Sequence, residues 1–378
     1  MTYDRNVAHA IRFATGTDSY KLGHADQYPE GTEYVLSNVT PRSSRLPSCH
    51  AVVFFGLQAF LQDWCTDAFG DFLALNEDVA IAAFAERVAS NIGPAPRLVE
   101  RFRALHRLGY LPLEFRALPE GTVVPLRVPV LTVVNTHPDF YWLTNYIESV
   151  LSAAIWHPMT SATQAYELRR LLDTWAVYTG SDPAFVDWQG HDFSFRGMPG
   201  IEAASASGAG HLLSFRGTDS VPALDFVDAF YPGDNGIVGM SVPATEHAVM
   251  CAGGEANELD TFRRLLELYP TGILSVVSDT WDLWHVVTNI LPELHDEIMA
   301  RDGKLVIRPD SGDPVRIICG DPRANVRSPA WLGLARLLEQ EFGSTVNEKG
   351  YRVLNPHVGM IYGDSITYQR AGAMCAGL

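Results

Sequence analysis

Residues 304–312, KLVIRPDSG, place an arginine and a carboxylate directly after a short apolar run. Lys304, Leu305, Val306 and Ile307 have strand character, and Arg308 and Asp310 follow them. Two opposite charges are thereby delivered to a sheet edge, where α/β enzymes place polar chemistry. Asp310-Ser311-Gly312 reads as a turn, with Gly312 supplying backbone freedom. Taken alone, this is equally an Arg–Asp pair capping a surface strand. The pattern recurs, however. Residues 212–215 precede Arg216-Gly217-Thr218-Asp219, 273–277 precede Ser278-Asp279, and 358–362 end in Gly363-Asp364. A weaker run at 186–188 leads to His191-Asp192, and 237–242 leads to Glu246-His247. Loops are polar in any protein, but so many Asp, His and Arg residues at strand ends predict one shared site at a barrel mouth.

The elements that must position these groups follow from periodicity. Apolar runs alternate with longer helical patterns over the second half of the chain, which signals βα units and a parallel sheet. The first half reads differently. A loose lead-in over 1–16 precedes a strand at 34–39 and helices at 54–69, 77–90 and 96–108. Strands at 113–117 and 122–135 form a meander turning at Pro119-Glu120-Gly121, with Pro125 and Pro129 at edge positions. Helices at 140–156 and 160–178 come next. The small-residue stretch 203–210 predicts a helix packed tightly against the sheet. Amphipathic helices are expected at 281–291 and 331–342, and a last helix begins near Ser365. These patterns divide the chain into a mixed α/β domain over 1–157 and an α/β barrel domain over 158–378.

A chain of 378 residues, 47% hydrophobic and 19% charged, can bury two cores and has the composition of a soluble globular protein. A net charge of -16 argues against a nucleic-acid partner, although a few arginines in a cleft still suit a phosphorylated small molecule. Five scattered cysteines without CxxC spacing suit a reducing cytoplasm better than disulfides or structural zinc. The first residues do not resemble a signal peptide, and no apolar run approaches the ~18 residues of a membrane span.

Seven motifs in series carry a resemblance. They are Thr17-Asp18-Ser19-Tyr20-Lys21 with Gln27-Tyr28-Pro29, His191-Asp192-Phe193 with Arg196-Gly197, Phe215–Asp219, Ser241–Ala244 with Glu246-His247, Ser275–Asp279, Ile307–Gly312 and Gly363-Asp364. Together they resemble the nicotinate/nicotinamide phosphoribosyltransferase family, over essentially the whole chain, and within it the enzymes that use nicotinamide. The resemblance implies a type II phosphoribosyltransferase fold, an irregular α/β barrel beside a mixed α/β domain. It implies transfer of phosphoribose from phosphoribosyl pyrophosphate to nicotinamide in NAD salvage, giving nicotinamide mononucleotide and pyrophosphate. A head-to-tail homodimer with shared active sites is implied as well. Phe193 and, from the neighbouring subunit, Tyr20 would sandwich the pyridine ring, and Asp219 would face the amide. His247 would be phosphorylated by ATP, with Glu246 and Asp279 as partners. Arg196, Ser275, Arg308, Asp310, Gly363 and Asp364 would surround ribose and phosphates, and Arg42 would reach pyrophosphate from the second subunit. On sequence alone, Tyr20 and Arg42 are ordinary loop surface.

The chemistry suits these residue types. Breaking the C1–pyrophosphate bond develops positive charge on the sugar and negative charge on the leaving group. Mg²⁺ through Asp310 and the arginines would answer the second, and carboxylates the first. A carboxylate at Asp219 accepts from a carboxamide N–H and repels nicotinate, which weighs against a nicotinate-specific enzyme. A non-catalytic binding subunit of the same fold is the rival of another class, and His247 argues against it. A barrel metal hydrolase lacks HxH or HExxH spacing here. The family's glycine-rich phosphate loop has no counterpart, since no GxGGG-like run occurs. A longer chain or a second polypeptide is therefore expected to supply it, and residues 1–378 alone are expected to turn over little.

Overall fold

The computed structural model describes residues 4–46, 49–233 and 236–378. They form two compact units: 1–166 with 194–214 and 220–238, and 167–193 with 215–219 and 239–378. The second unit thus takes back the chain twice after lending it to the first.

In the first unit, β1 (Leu36–Val39), β2 (Ala51–Val53), β3 (Leu113–Ala117), β4 (Val123–Pro125) and β5 (Leu131–Asn135) are all antiparallel. β5 lies between β1 and β3, and its residues alternate between buried and half-buried, as a strand with one face on the core requires. The core is aromatic: Phe102 meets Phe84 at 4.3 Å and Trp142 at 5.1 Å between ring centroids. Helices Glu77–Ile92 and Pro96–Leu108 fall where the periodicity places them. Asn76 caps the first by accepting from the Asp78 and Val79 N–H groups, and Gly109 ends the second at φ 75°.

Two expectations for this unit are corrected. Residues 4–16 are not a loose lead-in but two short helices, with Ile11, Phe13 and Ala14 in the core and the Tyr146 hydroxyl donating to the Ala14 carbonyl; residues 1–3 lie outside the described residues. The two helices expected over 140–178 are mostly one, Glu148–Thr179, with Pro158 inside it. Its ring packs against Gly56, where a Cβ would stand 2.8 Å from Pro158 Cγ. Tertiary packing here overrides the local preference of proline. The domain boundary drawn after residue 157 falls within this helix. The small-residue helix Ile201–His211 packs tightly on that helix: a Cβ at Gly210 would lie 2.6 Å from the Pro158 carbonyl oxygen, Ser207 and Ser161 share a 2.7 Å hydrogen bond, and Ala209 joins a buried cluster with Val53 of β2 and Ala162.

The second unit carries β6 (His191–Asp192), β7 (Gly217–Thr218), β8 (Thr271–Val277), β9 (Asp302–Arg308), β10 (Ser344–Val346), β11 (Arg352–Leu354) and β12 (Val358–Met360). β6 pairs with β7, and β8 with β9 and β9 with β12, all parallel. Parallel bridges from Met240 to Gly217 and from Ala244 to Ser275 insert residues 240–244 between the two groups. Six segments therefore lie side by side in chain order, the barrel-type arrangement. β10 and β11 form a separate antiparallel hairpin. Two strand expectations fail locally. Residues 186–188 belong to helix Pro183–Gln189, begun by an Asp182 cap and Pro183. Residues 212–215 finish a helix turn, and the strand comes two residues later. Phe215 is buried because its ring covers Gly190, where a Cβ would lie 2.7 Å away.

Register decides where the charges go. Val277 stands opposite Arg308, and Met360 opposite Ile307. The residues that follow β8, β9 and β12, which include Asp279, Asp310 and Asp364, therefore leave the sheet at one edge. Leu274, Val276, Leu305 and Ile307 are fully buried beneath it.

Candidate functional site

At one end of this edge, β6 and β7 bring His191, Phe193 and Asp219 together. His191 Nε2 lies 2.9 Å from Asp219 Oδ1, and the Ser241 hydroxyl donates to the same oxygen. Among the described residues no hydrogen bond engages Oδ2. Burial pushes the Asp219 carboxyl up, but the His191 and Ser241 hydrogen bonds and the charges of His191 and Arg308 outweigh it and hold it below the usual carboxylate value. The Phe193 ring packs on His191 at 4.6 Å, and the Arg308 guanidinium lies 5.9 Å from its centroid. An aromatic face, an ionised carboxylate with one open oxygen and a nearby cation make a site for a flat ring bearing a hydrogen-bond donor.

At the other end the carboxylates gather. Asp279 Oδ2 accepts from the N–H groups of Asp310 at 2.8 Å and Ser311 at 2.7 Å. His247 opens the helix His247–Gly253, its ring half exposed, with Nε2 3.4 Å from Asp279 Oδ1 and Nδ1 4.0 Å from Asp310 Oδ2. Arg308 Nη2 reaches Asp310 Oδ2 at 3.4 Å. The Gly363 backbone abuts Asp310 so closely that a Cβ would lie 1.9 Å from Oδ1, and this oxygen is buried without a hydrogen-bond partner. Asp364 is exposed and accepts from Ser365. Ser275 is buried between Pro243 and Thr245, to which its backbone is bonded, with its hydroxyl unpaired among the described residues. Among the described residues, no three His, Cys, Asp or Glu side chains converge as a metal site.

Most of the expected residues thus meet on one unit: Phe193, Asp219, His247, Ser275, Asp279, Arg308, Asp310, Gly363 and Asp364. Glu246 is the residue before the His247 helix, but its side chain makes no capping hydrogen bond there. Tyr20, Arg42 and Arg196 belong to the first unit and are exposed there; the Tyr20 ring meets His24 edge-on at 5.0 Å. Sequence reasoning placed His191 at the shared barrel mouth without giving it a role, and it did not assign Ser241 or Tyr362 to the site. Each stands at a strand end beside a chosen residue, which is the signal that could have found it.

Residues 188–378 match the family model described as "Nicotinate phosphoribosyltransferase (NAPRTase) family", and residues 12–82 match "Nicotinamide phosphoribosyltransferase, N-terminal domain". The chain is 52% identical to a nicotinamide phosphoribosyltransferase of Acinetobacter baylyi over all of this chain and 76% of that protein. The chain belongs to the nicotinate phosphoribosyltransferase family. A nicotinamide phosphoribosyltransferase of Mycoplasma pneumoniae is 36% identical over 95% of this chain and 80% of its own. The crystal structure of nicotinate-nucleotide pyrophosphorylase from Pyrococcus furiosus, 16% identical, superposes with a TM-score of 0.54 over 97% of this chain and 69% of that one. The fold is that of the type II phosphoribosyltransferases. No helix among the described residues is long and apolar enough to cross a membrane.

Glu258 is a buried carboxyl outside this constellation. It begins the helix Glu258–Leu268, is 4% exposed, and has Oε1 unpaired among the described residues. Burial pushes its carboxyl up to about 7, against the pull of nearby His285 and with the push of Glu255 and Asp282. A carboxyl raised above its unfolded value of about 4.3 costs stability as pH climbs from there through its folded value. Glu258→Gln should therefore raise the urea midpoint more at pH 8 than at pH 5. An equal change at both, or a loss at pH 8, would contradict this.

Proposed function

We propose that this chain is a nicotinamide phosphoribosyltransferase, a pentosyltransferase of NAD salvage that works in the cytoplasm. The observation that carries the reading is Asp219, held ionised beside the Phe193 face with Oδ1 taken by His191 and Ser241. Oδ2 is left to accept from a carboxamide N–H, whereas a nicotinate carboxylate would meet repulsion. The pyridine nitrogen attacks ribose C1 as the bond to pyrophosphate breaks, and the leaving oxygen keeps the electron pair. The ring gains the positive charge, which the Phe193 face favours by roughly 0.5–2 kcal/mol. Arg308 stands within reach of both ends of this exchange.

Asp310 is the residue proposed for Mg²⁺; a single carboxylate with substrate phosphates is a usual Mg²⁺ environment. When bound, Mg²⁺ would neutralise charge on the pyrophosphate. Phosphate oxygens are proposed to meet Arg308 and the Gly363-Asp364 turn, with Ser275 supplying a buried hydroxyl on the same unit.

Selectivity tests the reading directly. Asp219→Asn removes the repulsion at almost constant size. The nicotinamide-to-nicotinate ratio of kcat/KM should fall by about tenfold, corresponding to about 1.4 kcal/mol. An unaltered ratio would mean that another group reads the amide.

ATP is proposed to phosphorylate His247, the imidazole taking the γ-phosphoryl group as ADP leaves. The supporting geometry is the half-exposed ring set between Asp279 and Asp310. Labelled ATP should leave acid-labile phosphate on His247; label elsewhere, or undiminished label in His247→Ala, would refute this.

The active form is proposed to be a homodimer in which Tyr20 and Arg42 of one subunit face the ligands of the other. Tyr20 is 62% exposed, which leaves its ring open to such a role. Mixed dimers of Tyr20→Ala and His247→Ala should recover activity that neither variant has alone. No recovery despite verified subunit exchange would place both residues in one subunit's own site.

A further inference from the structure

We infer that Tyr362 is a positioning residue for the sugar end of the site, its hydroxyl holding the Asp310–Gly312 turn in the shape that presents Asp310 to ribose and phosphates. This rests on the phosphoribosyl transfer proposed above. Tyr362 follows β12, is 9% exposed, and donates to the Gly312 carbonyl at 3.0 Å. Gly312 has φ 91°, the left-handed region that glycine enters without steric cost, so its conformation is set by what grips it from outside. On the other side Asp279, which follows β8, accepts from Asp310 and Ser311 N–H. β8 and β12 are the two parallel neighbours of β9. The turn leaving β9 is therefore clamped from both flanking strands, by a carboxylate on its donors and a phenol on its acceptor.

The next residue adds a second contact. Gly363 presses its backbone on Asp310 Oδ1, where no side chain would fit. One short segment, Tyr362-Gly363, thus anchors the turn and limits the swing of its carboxylate. Burial, reinforced by Asp279, Asp364, Asp310 and Asp313, pushes the phenol up to about 12. It keeps its proton at neutral pH and serves as a hydrogen-bond donor, not as an acid or base.

Tyr362→Phe removes the hydroxyl and keeps the ring and its packing. Calorimetric titration of the whole chain and its variant with nicotinamide and with nicotinamide mononucleotide separates the two ends of the site. The variant should bind the mononucleotide roughly three- to tenfold more weakly, the size of one lost neutral hydrogen bond. Its affinity for nicotinamide should be unchanged, and its thermal midpoint should fall only slightly, as expected for one lost buried hydrogen bond. In turnover, KM for phosphoribosyl pyrophosphate should rise while KM for nicotinamide stays constant. Equal loss for both ligands, or no loss for either, would overturn the inference and leave the transferase reading intact. A wild-type chain that binds neither ligand would overturn both.

Discussion

The Asp279 carboxylate, taking two backbone N–H groups from the Asp310-Ser311 turn, is the interaction on which the rest of the site depends. Its side chain is only 7% exposed, and a buried carboxylate needs donors. Hydrogen bonds to a charged group contribute roughly 1.5–3 kcal/mol, and removing the acceptor would also strand the donors. Because Val277 lies opposite Arg308, Asp279 meets the neighbouring turn without any excursion of chain. Its second oxygen faces His247. One side chain therefore holds the turn bearing Asp310 and sets its other oxygen beside the imidazole.

The same parallel geometry separates the two halves of the chemistry. Phe193 and Asp219 follow β6 and β7, whereas Asp279, Asp310 and Asp364 follow β8, β9 and β12. Arg308 lies near both, facing Phe193 on one side and Asp310 on the other. A ligand with an uncharged ring at one end and a sugar that gains positive charge at the other matches that division, with Arg308 as the cation for its phosphates. The constraint is steric as well as electrostatic, since Gly363 and Asp310 approach too closely to admit a side chain.

Much of this was legible in the sequence, for identifiable reasons. Helices 77–92 and 96–108 are long enough for their period to show, and the three-stranded parallel core has apolar runs bounded by polar residues. β6 and β7 have two residues each, too few for any alternation, so both were placed several residues early. Pro158 looked like a helix break because nothing local announces Gly56 as its packing partner. The resemblance supplied the roles proposed for Phe193 and Asp219. It did not supply the bonds from His191 and Ser241 that set the charge state of Asp219, which exist only once three segments are adjacent. The return of residues 194–214 and 220–238 to the first unit has no sequence signature that could have revealed it.

The central claim is that one row of strand ends reads the pyridine amide at Asp219 and the sugar at Asp310. A crystal structure of the chain with nicotinamide mononucleotide tests it most directly. The account places the ring against Phe193, the carboxamide nitrogen within hydrogen-bond distance of Asp219 Oδ2, and the ribose beside Asp310. A nucleotide bound in reverse, or bound away from the ends of β6 to β9, would contradict it.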